Sequence, residues 1–150
     1  MIQIVIPGEP CAQGRARAFA FKDRMGNARV RMYDPQKSRN WKATAQAHMG
    51  LALDGAQPLR GPVRLHVTAV FTCPKSDWRK ASPQGRRWHA KKPDADNVLK
   101  AVKDAAKGVL WLDDSQVAVA MVKKLIGAQG EAPSVLLAIS PLHEIDALAG

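Results

Sequence analysis

Four aspartates stand at the two ends of one short stretch, residues 91–117 (KKPDADNVLKAVKDAAKGVLWLDDSQV). Asp94 and Asp96 lie two residues apart near its start, and Asp113 and Asp114 are adjacent near its end. Carboxylates that meet in space bind hard cations such as Mg²⁺, and a bound cation of this kind activates water and polarises phosphoryl groups. The chemistry open to this stretch is therefore metal-dependent work on a phosphate, provided that the acids meet.

The elements between the two acidic pairs predict that they can meet. Asp94 or Asp96 is placed to cap the start of a helix with its side chain, and Gly108 is placed to end it. A helix of about a dozen residues is ~18 Å long, and an extended return of about six residues covers roughly 20 Å. Such a return brings Asp114 back to the first pair, with only one of Asp113 and Asp114 facing it. The apolar residues that recur at helical spacing are Val98, Ala101, Val102 and Ala105.

Lys100 lies one turn beyond Asp96 on the same helical face, where its ammonium group would stand beside a bound phosphate. A structural interpretation stays open on spacing alone: an aspartate merely caps the helix, Lys100 pairs with Asp104, and the acidic pair forms a turn. A zinc site is not expected, because no C-x-x-C occurs and the four histidines are scattered. Cys11 and Cys73 are too few to indicate a disulfide framework.

The stretch is similar, nearly residue for residue, to the signature of the RusA-type Holliday-junction resolvases. That signature is a KPD-x-DN run, a helix with a lysine in its first turns, and a closing W-x-DD-[SA]-Q-[VI]. Upstream, IPGEPCAQGRARAF resembles the family's first strand and the basic segment after it, and YDPQKSRNWK resembles its lead into the first helix. The match touches most of residues 2–124. It departs at Gln13, Ala16 and Ala95, where lysine, proline and leucine are usual.

The resemblance implies a Mg²⁺-dependent endodeoxyribonuclease that resolves four-way DNA junctions by paired symmetric nicks, in recombination and repair. Lys100 would be catalytic, adding positive charge as negative charge builds on the reacting phosphate. Asn97 and Asp113 would support the ligating carboxylates, and Asp113 could also form a turn. The catalytic residues that would hold Mg²⁺, or Mn²⁺ in its place, are Asp94, Asp96 and Asp114.

The resemblance also implies a homodimer, since two matched nicks in a two-fold junction need two matched active sites. No small-molecule cofactor is expected. Two other functions stay open: a related metal nuclease that acts on flaps, forks or other branched DNA, and a non-catalytic junction-binding protein whose acids are caps and turns.

The charge of the chain favours nucleic acid as its partner. It has 23 basic and 13 acidic residues and a formal net charge of +10, which attracts polyanions. No basic amphipathic helix, membrane-spanning run or signal-peptide layout is evident. We therefore expect a cytoplasmic protein without a membrane partner.

Two segments carry much of this positive charge. A hairpin is predicted from strands at 17–22 and 28–33, and its basic residues either form a solvated face or lie along phosphates. Residues 74–92 show no periodicity and hold seven basic residues against Asp77 alone, a net charge of +6, with Trp78 and Trp88 between them. Such a loop suits DNA with unstacked bases; alternatively both tryptophans pack into the core. The predicted DNA-binding residues are Arg15, Arg17, Lys75, Arg79, Lys80, Arg86, Arg87, Lys91 and Lys92.

The predicted fold is a single α+β domain over residues 1–150, with a mixed β-sheet and two principal helices. Strands are expected at 1–6, 63–71, 117–125 and 134–140, and a short tail at 141–150. The first helix is expected at 36–53, capped by Ser38. Its expected buried stripe is Trp41, Ala45, His48, Met49 and Ala52.

Overall fold

The computed structural model of the chain describes residues 1–12, 17–33 and 35–143. This part of the chain forms one α+β domain with a five-stranded mixed sheet, a separate two-stranded hairpin and two α-helices. The predicted fold class is confirmed, and the ends of β1, β6 and β7 differ from the predicted ends by one residue. The elements in chain order are β1 (Ile2–Pro7), β2 (Arg17–Lys22), β3 (Ala28–Tyr33), α1 (Gln36–Leu53), β4 (Val63–Phe71), β5 (Arg87–Trp88), α2 (Ala95–Ala106), β6 (Val117–Ile126) and β7 (Ser134–Pro141).

The five-stranded sheet has the order β1-β7-β4-β6-β5. β4 and β6 run parallel, and the other neighbours are antiparallel. Alternate residues of β4 and β7 point into the core, as the period of two along a strand requires. Both helices pack on that face, with α1 beside β1 and α2 beside β6. The sheet and α2 thus form the frame on which the acidic residues are placed.

Two predictions about α1 are wrong. Ser38 does not cap the helix, because the Pro35 carbonyl already accepts the first helical hydrogen bond from Arg39 N (3.1 Å) and Ser38 falls inside the first turn. The buried line is Trp41, Ala45 and Met49, while His48 is half-buried and Ala52 is exposed. A line of every fourth residue winds slowly around a helix, because one turn takes only about 3.6 residues. Residues beside the line of Trp41, Ala45 and Met49 therefore turn out of the interface toward the end of α1.

Residues 74–92 contain more regular structure than predicted. A 3₁₀ turn spans Lys75–Asp77, and β5 pairs with β6. Gln129, which follows later in the chain, also holds this segment in place. Its side chain accepts from the N–H groups of Arg79 and Gln84 and donates to the Arg79 carbonyl. These contacts lie 45 to 50 residues apart in sequence, so local periodicity does not reveal them.

β7 extends one residue further than predicted. Pro141, predicted to begin the tail, belongs to β7, and residues 144–150 lie outside the described residues. Neither α-helix in the described ranges combines the length and the apolar character needed to cross a bilayer.

Candidate active site and DNA-binding surface

The first turn of α2 presents two carboxylates to solvent. Asp94 occupies the N-cap position, and its carbonyl accepts from Val98 N (3.2 Å). The predicted side-chain cap is absent: the Asp94 carboxylate makes no hydrogen bond to the helix amides. Across the described residues, no hydrogen bond or ion pair involves the carboxylates of Asp94 or Asp96, and both residues are exposed. Their oxygen atoms are therefore available to an external ligand.

Lys124 on β6 fixes the chain directly before Asp94. Its Nζ donates to the carbonyls of Lys91 (2.7 Å) and Pro93 (2.6 Å), across a cis Lys92–Pro93 peptide. The Lys124 carbonyl in turn accepts from His89 N (3.0 Å). The role of Lys124 was not predicted, since the only local sign of it in the sequence is a lysine within an apolar strand. Lys124 positions the start of α2 against the sheet.

The chain after α2 returns through a tight turn, and the predicted extended segment is wrong. Gly108, with φ +79°, donates its N–H to the Trp111 carbonyl (2.7 Å), and Leu110 N donates to Ala106 O (2.8 Å). Leu110 and Trp111 are fully buried. Burial of these two large apolar side chains in the core is more favourable in free energy than an extended segment would be. The chain therefore folds back directly after α2, and Asp114 still returns to α2.

Asp113 forms the turn that follows. Its side chain accepts from Ser115 N (2.9 Å) and lies 3.4 Å from Lys107 Nζ. The Ser115 backbone hydrogen bond is the main cause that lowers the pKa of Asp113 to about 2, with Lys107 contributing. The pairing of Asp104 with Lys100, part of the structural interpretation, is not seen in the described residues, and Lys107 pairs with Asp113.

Gln116 anchors this turn to the rest of the domain. Its Oε1 accepts from the Leu112 N–H (2.8 Å) and the Asp113 N–H (3.0 Å). Its Nε2 donates to the carbonyls of Leu59 and Gly61, both at 2.9 Å. No role was predicted for Gln116, although its place in the closing motif of the stretch, W-x-DD-[SA]-Q-[VI], was the available signal.

Asp96, Lys100 and Asp114 line one cavity of about 320 Å³. The Asp114 Oδ1 accepts from the indole Nε1 of Trp111 at 3.0 Å, which fixes the carboxylate. Asp94 does not line this cavity. Asn97 is half-buried, and no hydrogen bond in the described residues joins its side chain to the acids. The remaining lining residues are Leu99, Lys103 and Asp104.

The cavity fits an open Mg²⁺ site better than a closed metal cage. No group of three or more His, Cys, Asp or Glu residues lies at metal-binding spacing within ranges 1–12, 17–33 and 35–143. Mg²⁺ is commonly held by one or two carboxylates together with water and substrate phosphates. Asp96 and Asp114 supply such carboxylates, and the cavity is roughly ten times the ~30 Å³ share of one water molecule.

The predicted DNA-binding residues differ in whether their charge already has a partner in the protein. Arg86 pairs with Glu131 (2.9 Å) and Arg87 pairs with Asp77, so these two guanidinium groups already have carboxylate partners. Arg15 lies outside the described residues. The predicted residues that are exposed and form no ion pair in the described part of the chain are Arg17, Lys75, Arg79, Lys80, Lys91 and Lys92.

Both tryptophans of the basic loop, residues 74–92, are exposed. Trp78 is 46% exposed and Trp88 is 72% exposed. The alternative that they pack into the core is therefore wrong. The loop presents aromatic rings and free cations together, directly before Asp94.

The chain is similar to known proteins over most of its length. Residues 7–138 match the family model described as endodeoxyribonuclease RusA, which includes every acid discussed above. A protein of Bacillus subtilis (strain 168), described as uncharacterized protein YqaN, is 34% identical over 131 residues. The aligned region covers 82% of this chain and 86% of that protein.

Proposed function

Because the chain belongs to the RusA family of endodeoxyribonucleases, we propose that it resolves four-way DNA junctions by paired nicks in a reaction that needs a divalent cation. The observation that carries the proposal is the cavity shared by Asp96, Lys100 and Asp114, which are brought together from two separate segments. The first two residues follow a basic, aromatic loop, so a bound DNA strand can reach the acids.

Asp94, Asp96 and Asp114 are the proposed ligands of Mg²⁺, with Mn²⁺ able to replace it. Bound there, the cation supplies an activated water and polarises the phosphoryl oxygen. Asp96 and Asp114 would hold the cation together, and the hydrogen bond from the Trp111 indole keeps the Asp114 carboxylate in place. Asp94 would join when DNA is bound, since its carboxylate has no protein partner in the described residues.

Lys100 would act on the substrate. Lys100 lines the same cavity, and a lysine ammonium group can donate hydrogen bonds to a phosphate oxygen. A fixed positive charge at this point stabilises the negative charge that builds up during phosphodiester cleavage. Lys124 acts through other groups: it positions Asp94 by holding the Lys91 and Pro93 carbonyls.

The proposed working unit is a homodimer in the cytoplasm. A four-way junction has approximate two-fold symmetry, and an isologous dimer presents two equal sites to its two continuous strands. Sedimentation of the protein with and without junction tests this part. A monomer that resolves junctions at working concentration would exclude it.

The decisive experiment compares labelled four-way junction, flap and linear duplex, each with Mg²⁺ or with EDTA, and maps every nick. Paired symmetric nicks confined to the junction support the proposal. Nicks on flaps or duplex at equal rate would indicate a nuclease for other branched DNA.

The same assay on Asp94→Asn, Asp96→Asn and Asp114→Asn tests the site. We expect each variant to lose nicking while it still binds junction in a gel shift. Undiminished Mg²⁺-dependent nicking by all three would refute the assigned residues. Equal junction binding by the unaltered chain with EDTA or Mg²⁺, without any nick, would indicate a non-catalytic binding protein.

A further inference from the structure

The β2–β3 hairpin is an exposed element with an unusual surface. All twelve residues of its two strands are exposed, and within the described residues the strands pair only with each other. Several of the large apolar side chains that the domain leaves exposed belong to this hairpin. An isolated hairpin is marginally stable in water, and concentrated exposed apolar surface commonly marks a binding site.

The strand register separates the hairpin into two different faces. On one face, each cross-strand pair joins an aromatic ring to a guanidinium group: Arg17 with Tyr33, Phe19 with Arg31, and Phe21 with Arg29. On the other face, the pairs are Ala18 with Met32, Ala20 with Val30, and Lys22 with Ala28. We call the first the arginine–aromatic face.

The arginine–aromatic face presents rings and guanidinium groups that can bind exposed base faces. Phe19 and Phe21 are 56% and 40% exposed, and their rings lie nearly parallel, with an interplanar angle of 16°. Base–aromatic stacking accepts every base, and neighbouring guanidinium groups bind phosphate or stack on bases themselves. A duplex hides its base faces, so a surface of this kind favours DNA in which bases are unstacked.

Charge selects DNA over a second copy of the chain as the occupant. Residues 17–33 hold five basic residues against one acidic residue, Asp23. Asp23 pairs with Arg29 at 3.1 Å, so it does not cancel the charge of the other basic residues. Two such hairpins laid face to face would repel one another, whereas a polyanion is attracted.

The hairpin leads into α1, which packs against α2. Tyr33 ends β3 two residues before Pro35, the N-cap of α1. In the first turns of α1, Arg39 lines a small cavity together with Asp104 of α2. Asp104 also lines the cavity of Asp96 and Asp114. A strand held at the acids therefore lies near the start of α1, the helix into which the hairpin leads.

We propose that the arginine–aromatic face of the β2–β3 hairpin binds unstacked bases at the branch point of the DNA whose strand lies in the acidic cavity. The identity of the DNA as branched rests on the proposed function. The hairpin is separate from the basic loop and would add a second aromatic surface for base faces to the one that Trp78 and Trp88 present.

The test uses the full chain and measures binding without cleavage, in EDTA. The probes are a four-way junction with 2-aminopurine at the branch nucleotides, a 20-nucleotide oligo(dT), and a linear duplex. The variant Phe19→Ala/Phe21→Ala removes both rings and keeps every charge. Met32→Ala, an exposed change on the opposite face, is the matched control, and Phe21→Trp retains stacking.

We expect the double variant to lose about tenfold or more in affinity for junction and oligo(dT), the loss of at least one stacked base. Duplex affinity should change less than about twofold, and the 2-aminopurine fluorescence change should disappear. Met32→Ala and Phe21→Trp should behave like the unaltered chain. Circular dichroism checks that the fold persists.

Three results would overturn the proposal: unchanged junction and oligo(dT) affinity, an equal loss for duplex, or a change in sedimentation alone, which would assign the face to a second copy. The outcome is independent of nicking. A chain that binds bases through the hairpin but never cleaves would contradict the proposed function and leave this inference standing. A chain that cleaves junctions without needing the rings would do the reverse.

Discussion

The indole Nε1 of Trp111 donates a 3.0 Å hydrogen bond to Asp114 Oδ1. Trp111 is fully buried, so the hydrophobic core itself orients a carboxylate at the candidate active site. Groups that orient ligating side chains commonly change metal affinity or activity by 10- to 100-fold when they are replaced.

Trp111→Phe should therefore weaken metal binding while it keeps most of the packing. We expect the Mg²⁺ concentration for half-maximal nicking to rise about tenfold. A Mg²⁺ titration of nicking rate, together with Mn²⁺ binding by calorimetry, measures the effect. Trp41→Phe is the matched control, since Trp41 is also buried and its Nε1 has no hydrogen-bond partner in the described residues. Equal metal dependence in both variants would contradict the prediction.

Lys100→Met should lower the rate of nicking without removing junction binding. The substitution keeps an aliphatic chain and deletes the positive charge in the cavity, so the cleavage rate under saturating enzyme should fall about 100-fold. Lys123→Met deletes the same charge from an exposed position on β6 and should stay within about twofold. Single-turnover kinetics on a labelled junction separate the two. A loss of binding affinity that fully accounts for the slower cleavage would assign Lys100 to DNA binding alone.

Gln116→Leu should destabilise the fold. Its amide satisfies the Leu112 and Asp113 N–H groups and the Leu59 and Gly61 carbonyls. Water can reach part of this turn, so we expect a loss of about 1–2 kcal/mol in the free energy of unfolding. Chemical denaturation measures it. Gln116→Glu keeps the acceptor for the two N–H groups, so its free energy of unfolding should fall less than that of Gln116→Leu. An equal or larger fall would show that the acceptor contributes little.

Stability should decline in mildly acidic solution because of His89. Burial, and then the charge of Lys124, lower the pKa of this imidazole below its ordinary 6.5. The unfolded chain therefore takes up the proton at higher pH than the folded chain, so the contribution is present above pH 6.5 and is lost as pH falls toward the lowered pKa. Melting temperatures between pH 5 and 8 should show this dependence. His89→Gln should have a flatter profile in that window, and an unchanged slope would contradict the assignment.

The sequence predicted each element whose own residues repeat with a clear period. β4 alternates, and α2 places Val98, Ala101 and Val102 on one face, so local burial decides both. The return of Asp114 to α2 was also predictable, because a helix followed by a chain reversal restricts where the second acidic pair can lie.

The remainder depended on contacts between distant residues. Lys124 reaches the carbonyls of Lys91 and Pro93 across more than thirty residues, and Arg86 finds Glu131 across 45. Periodicity carries no information about such partners. It also could not show that Leu110 and Trp111 would fold the return segment into a turn, since that depends on the space the core offers.

The position of β7 between β1 and β4 has a consequence for how the chain is made. Ile4 leaves the ribosome 133 residues before its partner Leu137. At about 5–20 residues per second, β1 waits roughly 7–27 s for its neighbour. During that time β1 has no partner strand, and its unpaired edge and apolar side chains are the kind of transiently exposed surface that favours misassembly.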